Sequence, residues 1–158
     1  MIRTLLLSVF VLVFGLCPVA LTAPRGLELK NQFSTAEAVL NYFLERDADG
    51  FIWSGLLDQE RREFTNWKAS PARDSFYLAR GFQITSDLKS SSPLRSVMAV
   101  HYDIESVRDS AGTRVPVEKK LQVRFVLEKQ KGQWKIVEPD AEHFTPVLLS
   151  SRVKEYFP

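Results

Sequence analysis

Apolar positions recur at helical spacing in the first half of the chain and at a spacing of two in the second half, and the change falls near Pro71. Ala36, Val39, Leu40, Phe43 and Leu44 share one face of a 3.6-residue period, which predicts a helix from Thr35 to Asp47. Ser34 with Glu37 three residues on has the form of a capping box, in which hydroxyl and carboxylate satisfy the first free amides. Gly50 supplies the left-handed backbone that stops the helix. A second helical segment presents Trp53, Leu56, Leu57, Phe64 and Trp67 as its apolar side and 58–63 as a mixed-charge wet side.

Beyond Ala72 the reading turns to strands. Phe76–Thr85 is aromatic and β-branched, with Gly81 predicted as a bulge or bend. Met98, Val100, Tyr102 and Ile104 alternate with Ala99, His101, Asp103 and Glu105, so the first set is expected to face the core and the second to face outward. A turn at Ser110-Ala111-Gly112 leads to Leu121, Val123, Phe125 and Leu127 in the same pattern. Matching the apolar sets pairs Ile104 with Leu121 and Met98 with Leu127, and places Glu105 across from Lys120 and His101 across from Arg124. A second turn at Gln130-Lys131-Gly132 returns through Trp134 and Ile136. Thr145-Pro146 then reads as the start of a closing helix carrying Leu149, Val153 and Phe157. The predicted fold class is α+β: N-terminal helices packed in a strongly bent antiparallel sheet, with a short C-terminal helix.

The first residues change the picture of location. A basic start at Arg3, an apolar run from Leu5 to Leu16 and small residues up to Ala23 form the three parts of a secretory signal, residues 1–23. The alternative is an uncleaved membrane anchor over Thr4–Ala23. Residues 24–33 read as a linker and 34–158 as one domain, expected in the periplasm or secreted. Cys17 is the only cysteine and lies inside the signal, so the exported part holds no disulfide. With 45% hydrophobic and 25% charged residues the chain has a globular composition, and a net charge of +2 is too mild to imply nucleic acid.

Candidate chemistry is sparse. Glu45, Asp47 and Asp49 with Gly50 open like a calcium loop, but Leu56 stands where the twelfth position needs a bidentate acid, so the aspartates are expected to be solvated. His101 and Asp103 project to one face of a strand, and with Arg124 opposite they form the sharpest candidate for an acid–base pair. His143 follows Asp140 and Glu142, yet with His101 it fits no compact ligand pattern, so neither a metal nor a cofactor is expected. Arg114, Lys119, Lys120, Arg124, Lys129, Lys131 and Lys135 crowd the hairpins, as a basic stripe or as lysines that guard strand edges. Trp53, Phe64, Trp67, Phe76, Tyr77 and Phe82 make the middle of the chain aromatic; most are expected in the core, while Trp53, Trp67, Tyr77 and Tyr102 are the candidates for lining a pocket.

Two amphipathic helices with an Asp-rich exit ending in Gly50, then a strand, a long hairpin and a last strand on Gly132-Gln133-Trp134-Lys135-Ile136-Val137, resemble the nuclear transport factor 2-like superfamily over Ser34–Glu138. Asp74-Ser75-Phe76 leading to Gly81-Phe82-Gln83-Ile84 looks like its small exported envelope members. The resemblance implies a cone-like, cystatin-like fold whose bent sheet wraps the helices, a mouth that often becomes a pocket, and pairing through the sheets as a homodimer. Such cones include cyclases, dehydratases, isomerases and inert binding modules, so fold does not decide function. The leading expectation is a non-catalytic exported protein that binds a small ligand or an envelope protein through the cone mouth or the open sheet face. The alternatives are a small lyase or isomerase using His101 and Asp103, and an immunity or inhibitor protein for a secreted partner.

Overall fold

The computed structural model describes Phe33–Val153; the predicted secretory signal, nearly all of the linker and Phe157 lie outside the described residues. Within them helix α1 (Ala36–Ala48) is followed by two short helices, α2 (Phe51–Ser54) and α3 (Arg61–Phe64), and then by strands β1 (Ser75–Ser86), β2 (Arg95–Asp109), β3 (Arg114–Gln130), β4 (Gln133–Glu138) and β5 (Val147–Leu149). The strands form one curled half-barrel sheet in the order β4-β3-β2-β1-β5. The sheet is mixed rather than antiparallel, because β5 runs parallel to β1, with Tyr77 opposite Val147 and Ala79 opposite Leu149. This strand occupies the place of the expected closing helix. Apolar Val147, Leu148 and Leu149 are all buried, and a three-residue segment covered on both faces is better satisfied beside β1 than as one helical turn.

α1 forms where its periodicity places it, but its cap is one residue later than the capping-box reading. Thr35, not Ser34, accepts from the Ala38 amide through Oγ1 at 3.1 Å, which leaves Glu37 as a favourable first-turn acid rather than a reciprocal partner. The second helical segment is broken where Gly55 adopts φ 81°, so Leu56 points to solvent and only Leu57, Phe64 and Trp67 of the expected stripe reach the core. Phe43 is the hub of that core: its ring makes edge contacts with Phe64, Trp67, Phe125 and Phe144 at centroid distances of 5.2–6.2 Å. A second, smaller cluster of Phe76, Leu78, Leu148 and Val153, with Trp53 against it, lies apart from this core.

The hairpin alternation is as expected, with Met98, Val100, Tyr102 and Ile104 buried and His101 exposed. The register is two residues tighter: Met98 faces Phe125, Val100 faces Val123, Tyr102 faces Leu121 and Ile104 faces Lys119. The β2–β3 turn is centred on Ala111, with Arg108 opposite Arg114, and the register changes again between Ile104 and Ser106. A shift of two keeps every side chain on its own face, so hydrophobic patterning cannot exclude it. Its consequence is that Asp103, not Glu105, lies across from Lys120, and Gln122, not Arg124, lies across from His101. In β1 the register changes between Ala79 and Phe82: Ala79 pairs with Ile104 and Phe82 with Tyr102, so Arg80 and Gly81 together oppose Asp103. This is a bulge at the glycine where one was predicted.

Truncating the hub should be the costliest single change in the core. Phe43→Ala is expected to lower unfolding stability by about 3–5 kcal/mol, measured as a drop in the urea midpoint at unchanged slope.

Candidate functional site

The bulge determines the shape of the outer sheet face. Arg80 and Gly81 swing out of the ladder, and a depression of about 600 Å³ opens between them, Gln83, Thr85, His101, Asp103 and Lys120. Nothing lies within 4 Å of where a Cβ at Gly81 would stand, so the glycine leaves free space rather than avoiding a clash. Side chains around this depression are held by neighbours across the strands. Asp103 accepts from Lys120 Nζ at 3.1 Å and lies 3.7 Å from Arg80. Arg80 also reaches Glu105 at 3.9 Å and Glu118 at 3.2 Å, while Arg114 pairs with Glu105 at 3.4 Å. Three cations thus meet three carboxylates, and the face is a balanced lattice rather than a basic stripe. Exposed pairs of this kind add little stability but fix side-chain positions.

Both members of the candidate acid–base pair line this depression without joining each other. His101 Nε2 lies 3.1 Å from Thr85 Oγ1, and the Lys120 ammonium hydrogen-bonded to Asp103, with Arg80 beside it, holds that carboxyl below its ordinary pKa. Asp103 is therefore a fixed anion in a cationic setting. Arg124 is not part of the group; it pairs with Glu138 at 2.7 Å. His143 is far along the chain in an exposed turn, where Asp140 Oδ1 accepts from its backbone amide at 3.0 Å and lies 2.6 Å from Nδ1. That hydrogen bond raises the imidazole pKa and lowers that of Asp140. Among the described residues no three histidines, cysteines or carboxylates gather as a metal site would require. The aromatic candidates also part company. Trp67 is buried in the main core with its indole N–H donated to the Pro139 carbonyl at 2.7 Å, and Trp53 packs at a tilt against Phe76 in the smaller cluster. Tyr77 accepts from Lys119 at 3.3 Å; Tyr102 is buried beside Phe82, and both Tyr102 and Phe82 contribute to the lining of the depression.

The acidic exit of α1, expected to be solvated, is instead a joint. Asp47 is 1% exposed, and its Oδ2 accepts from the Val147 amide at 2.9 Å. Glu45 and Asp49 on either side bind Arg152 Nη1 at 2.6 and 3.0 Å. The alternate acids that look like the start of a calcium loop grip β5 and the segment after it. Asp47 Oδ1 and the Tyr102 hydroxyl have no hydrogen-bond partner among the described residues. Burial pushes the Asp47 carboxyl well above its ordinary pKa, against the opposing effect of the Val147 amide. Burial first, and then the Asp47 charge, likewise raise the Tyr102 phenol. Sequence reading missed this acid although a signal was present: Asp47 continues the series Ala36, Leu40, Phe43 on the apolar face of α1.

No protein-family model, curated protein or solved structure matches this chain.

The joint makes stability pH-dependent in a defined direction. The folded chain keeps a proton on Asp47 that the unfolded chain releases above pH ~4, so this residue's contribution is complete below that point and is lost as pH rises toward the elevated folded value. Asp47→Asn keeps an acceptor for Val147 without the ionisation. Its stability relative to the parent chain should therefore increase with pH across this window in thermal melts. Asp47→Ala, which leaves the Val147 amide unpaired, should cost about 1–3 kcal/mol below pH ~4 and progressively less as pH rises.

Proposed function

We propose that this chain is a non-catalytic binding domain of an exported protein, of nuclear transport factor 2-like architecture, and that it takes a protein partner on the outer face of its sheet. The observation that carries the reading is the contrast between the two faces. The concave side is filled by the Phe43 cluster, whereas the outer face bears the bulge-made depression with cross-braced polar side chains around it. A wide, open depression with fixed charges of both signs suits complementary side chains of another protein. Electrostatic pairing there would set orientation and suppress wrong partners more than it would add affinity.

The acid–base reading of His101 and Asp103 has no comparable support. A general acid or base needs an environment that brings its pKa toward the working pH, and Asp103 is moved the other way. An inhibitor or immunity role is one form of the binding reading and is separated from it by the identity of the partner.

A photo-crosslinking residue at Gln83, in cells that make the full chain, should yield a discrete adduct with another protein. Gly81→Trp, which fills the depression without a backbone clash, should abolish the adduct while leaving the melting temperature within a few degrees. A Gln83 adduct that persists in Gly81→Trp, or no adduct at any residue around the depression, contradicts the reading.

A further inference from the structure

The end of the sheet where the β1–β2 loop meets the β3–β4 turn has a chemistry of its own. Leu88 and Leu94 are 83% and 64% exposed, the first in a 3₁₀ turn over Leu88–Ser90 and the second just before β2. A single exposed leucine is ordinary on a protein surface; two at one end of a sheet, among cations, are not. The Leu94 carbonyl accepts from the Lys129 amide at 2.9 Å, and Arg95 is the register partner of Glu128, so the loop and the β3–β4 turn are tied together. Lys89, Arg95, Lys129 and Lys131 are all exposed here, and none belongs to an ion pair among the described residues. Among the described residues two carboxylates lie at this end. Asp87 is engaged by the Lys89 and Ser90 amides, and Glu128 is half-buried.

Both elements are preorganised. The Ser91 hydroxyl bonds the Asp87 carbonyl at 2.8 Å and receives the Val97 amide at 3.1 Å, which fixes the loop. Lys131 and Gly132 adopt φ 50° and 86°, the left-handed pair of a two-residue hairpin turn, so Lys131 is carried at the extreme tip in a conformation that a lysine adopts only at a cost.

We infer that this end of the sheet is a membrane-docking tip, in which Leu88 and Leu94 enter the headgroup region of an anionic phospholipid bilayer while Lys89, Arg95, Lys129 and Lys131 bind the lipid phosphates. Short apolar side chains flanked by cations match that interface: leucine gains by leaving water, and each lysine or arginine gains from the negative surface potential. The inference uses a different surface from the proposed partner site and does not rest on it.

The test places a nitroxide at Leu94→Cys in a full chain carrying Cys17→Ser, with a second chain labelled at Ala111→Cys in the turn at the opposite end. On vesicles containing phosphatidylglycerol the Leu94 label should become protected from a water-soluble relaxant and exposed to oxygen, whereas the Ala111 label should stay in water. Attachment through the apolar N-terminal stretch alone would leave both labels in water, so it is distinguished from docking by the tip. Vesicles of phosphatidylcholine alone, or high salt, should remove the effect. Lys131→Asn suits the left-handed position and keeps the turn; it and Lys129→Gln should each weaken the immersion about fivefold, the effect of one cation at an anionic surface. Gly81→Trp should leave it unchanged. A Leu94 label that stays in water on phosphatidylglycerol vesicles, or immersion indifferent to lipid charge and to both lysine substitutions, overturns the proposal.

Discussion

The architecture depends on a carboxyl group buried where a helix ends. Among the described residues β5 has β1 on one side and no strand on the other, and a buried strand edge leaves amides unsatisfied. Asp47 supplies the acceptor that the Val147 amide lacks, and Glu45 and Asp49 hold Arg152 a few residues on. Gly50 completes the arrangement, since it turns the chain at φ 79° and a Cβ there would meet Leu148 at 3.3 Å. One turn of helix therefore orders a strand 100 residues away. The arrangement trades carboxylate solvation for sheet completion.

With the sheet completed in this way, its two faces diverge. Inside, rings from α1, α3, β3 and the segment before β5 meet at Phe43 and fill the curve. Outside, the strands bind one another through charges, and the register shift between Ala79 and Phe82 is where space opens. A bulge moves a side chain without moving the strand's neighbours, which is why Arg80 can reach three carboxylates from a single position. The functional reading follows from this asymmetry, because a filled interior leaves recognition to the exterior.

Much of this was legible in the residues. The helical period of Ala36 to Leu44, the alternation of Met98 to Ile104, the bulge at Gly81 and the turn at Lys131-Gly132 each arise from local chemistry that a short window contains. What was not legible depends on partners distant in sequence. The register of β2 on β3 is degenerate to shifts of two, and the irregularity near Glu105 that decides it has no sequence signature. The short apolar run Val147-Leu148-Leu149 fits helix or strand equally until β1 lies beside it. Asp47 reads as a solvated acid because acids near a glycine usually are, although its place on the apolar face argues otherwise. In the candidate site, the common face of His101 and Asp103 was readable from strand periodicity. Their separate partners, Thr85 and Lys120, were not, because they come from strands whose register was open.

The joint at Asp47 also bears on the chain while it is being made. Its amide partner lies 100 residues downstream, so a chain still being synthesised carries an ionised, hydrated group at the end of α1 until β5 arrives. That charge opposes premature collapse of the aromatic hub and disappears from the surface only when the sheet closes. The same residue is thus a hydrated charge in the unfinished chain and the partner of a strand amide in the finished one.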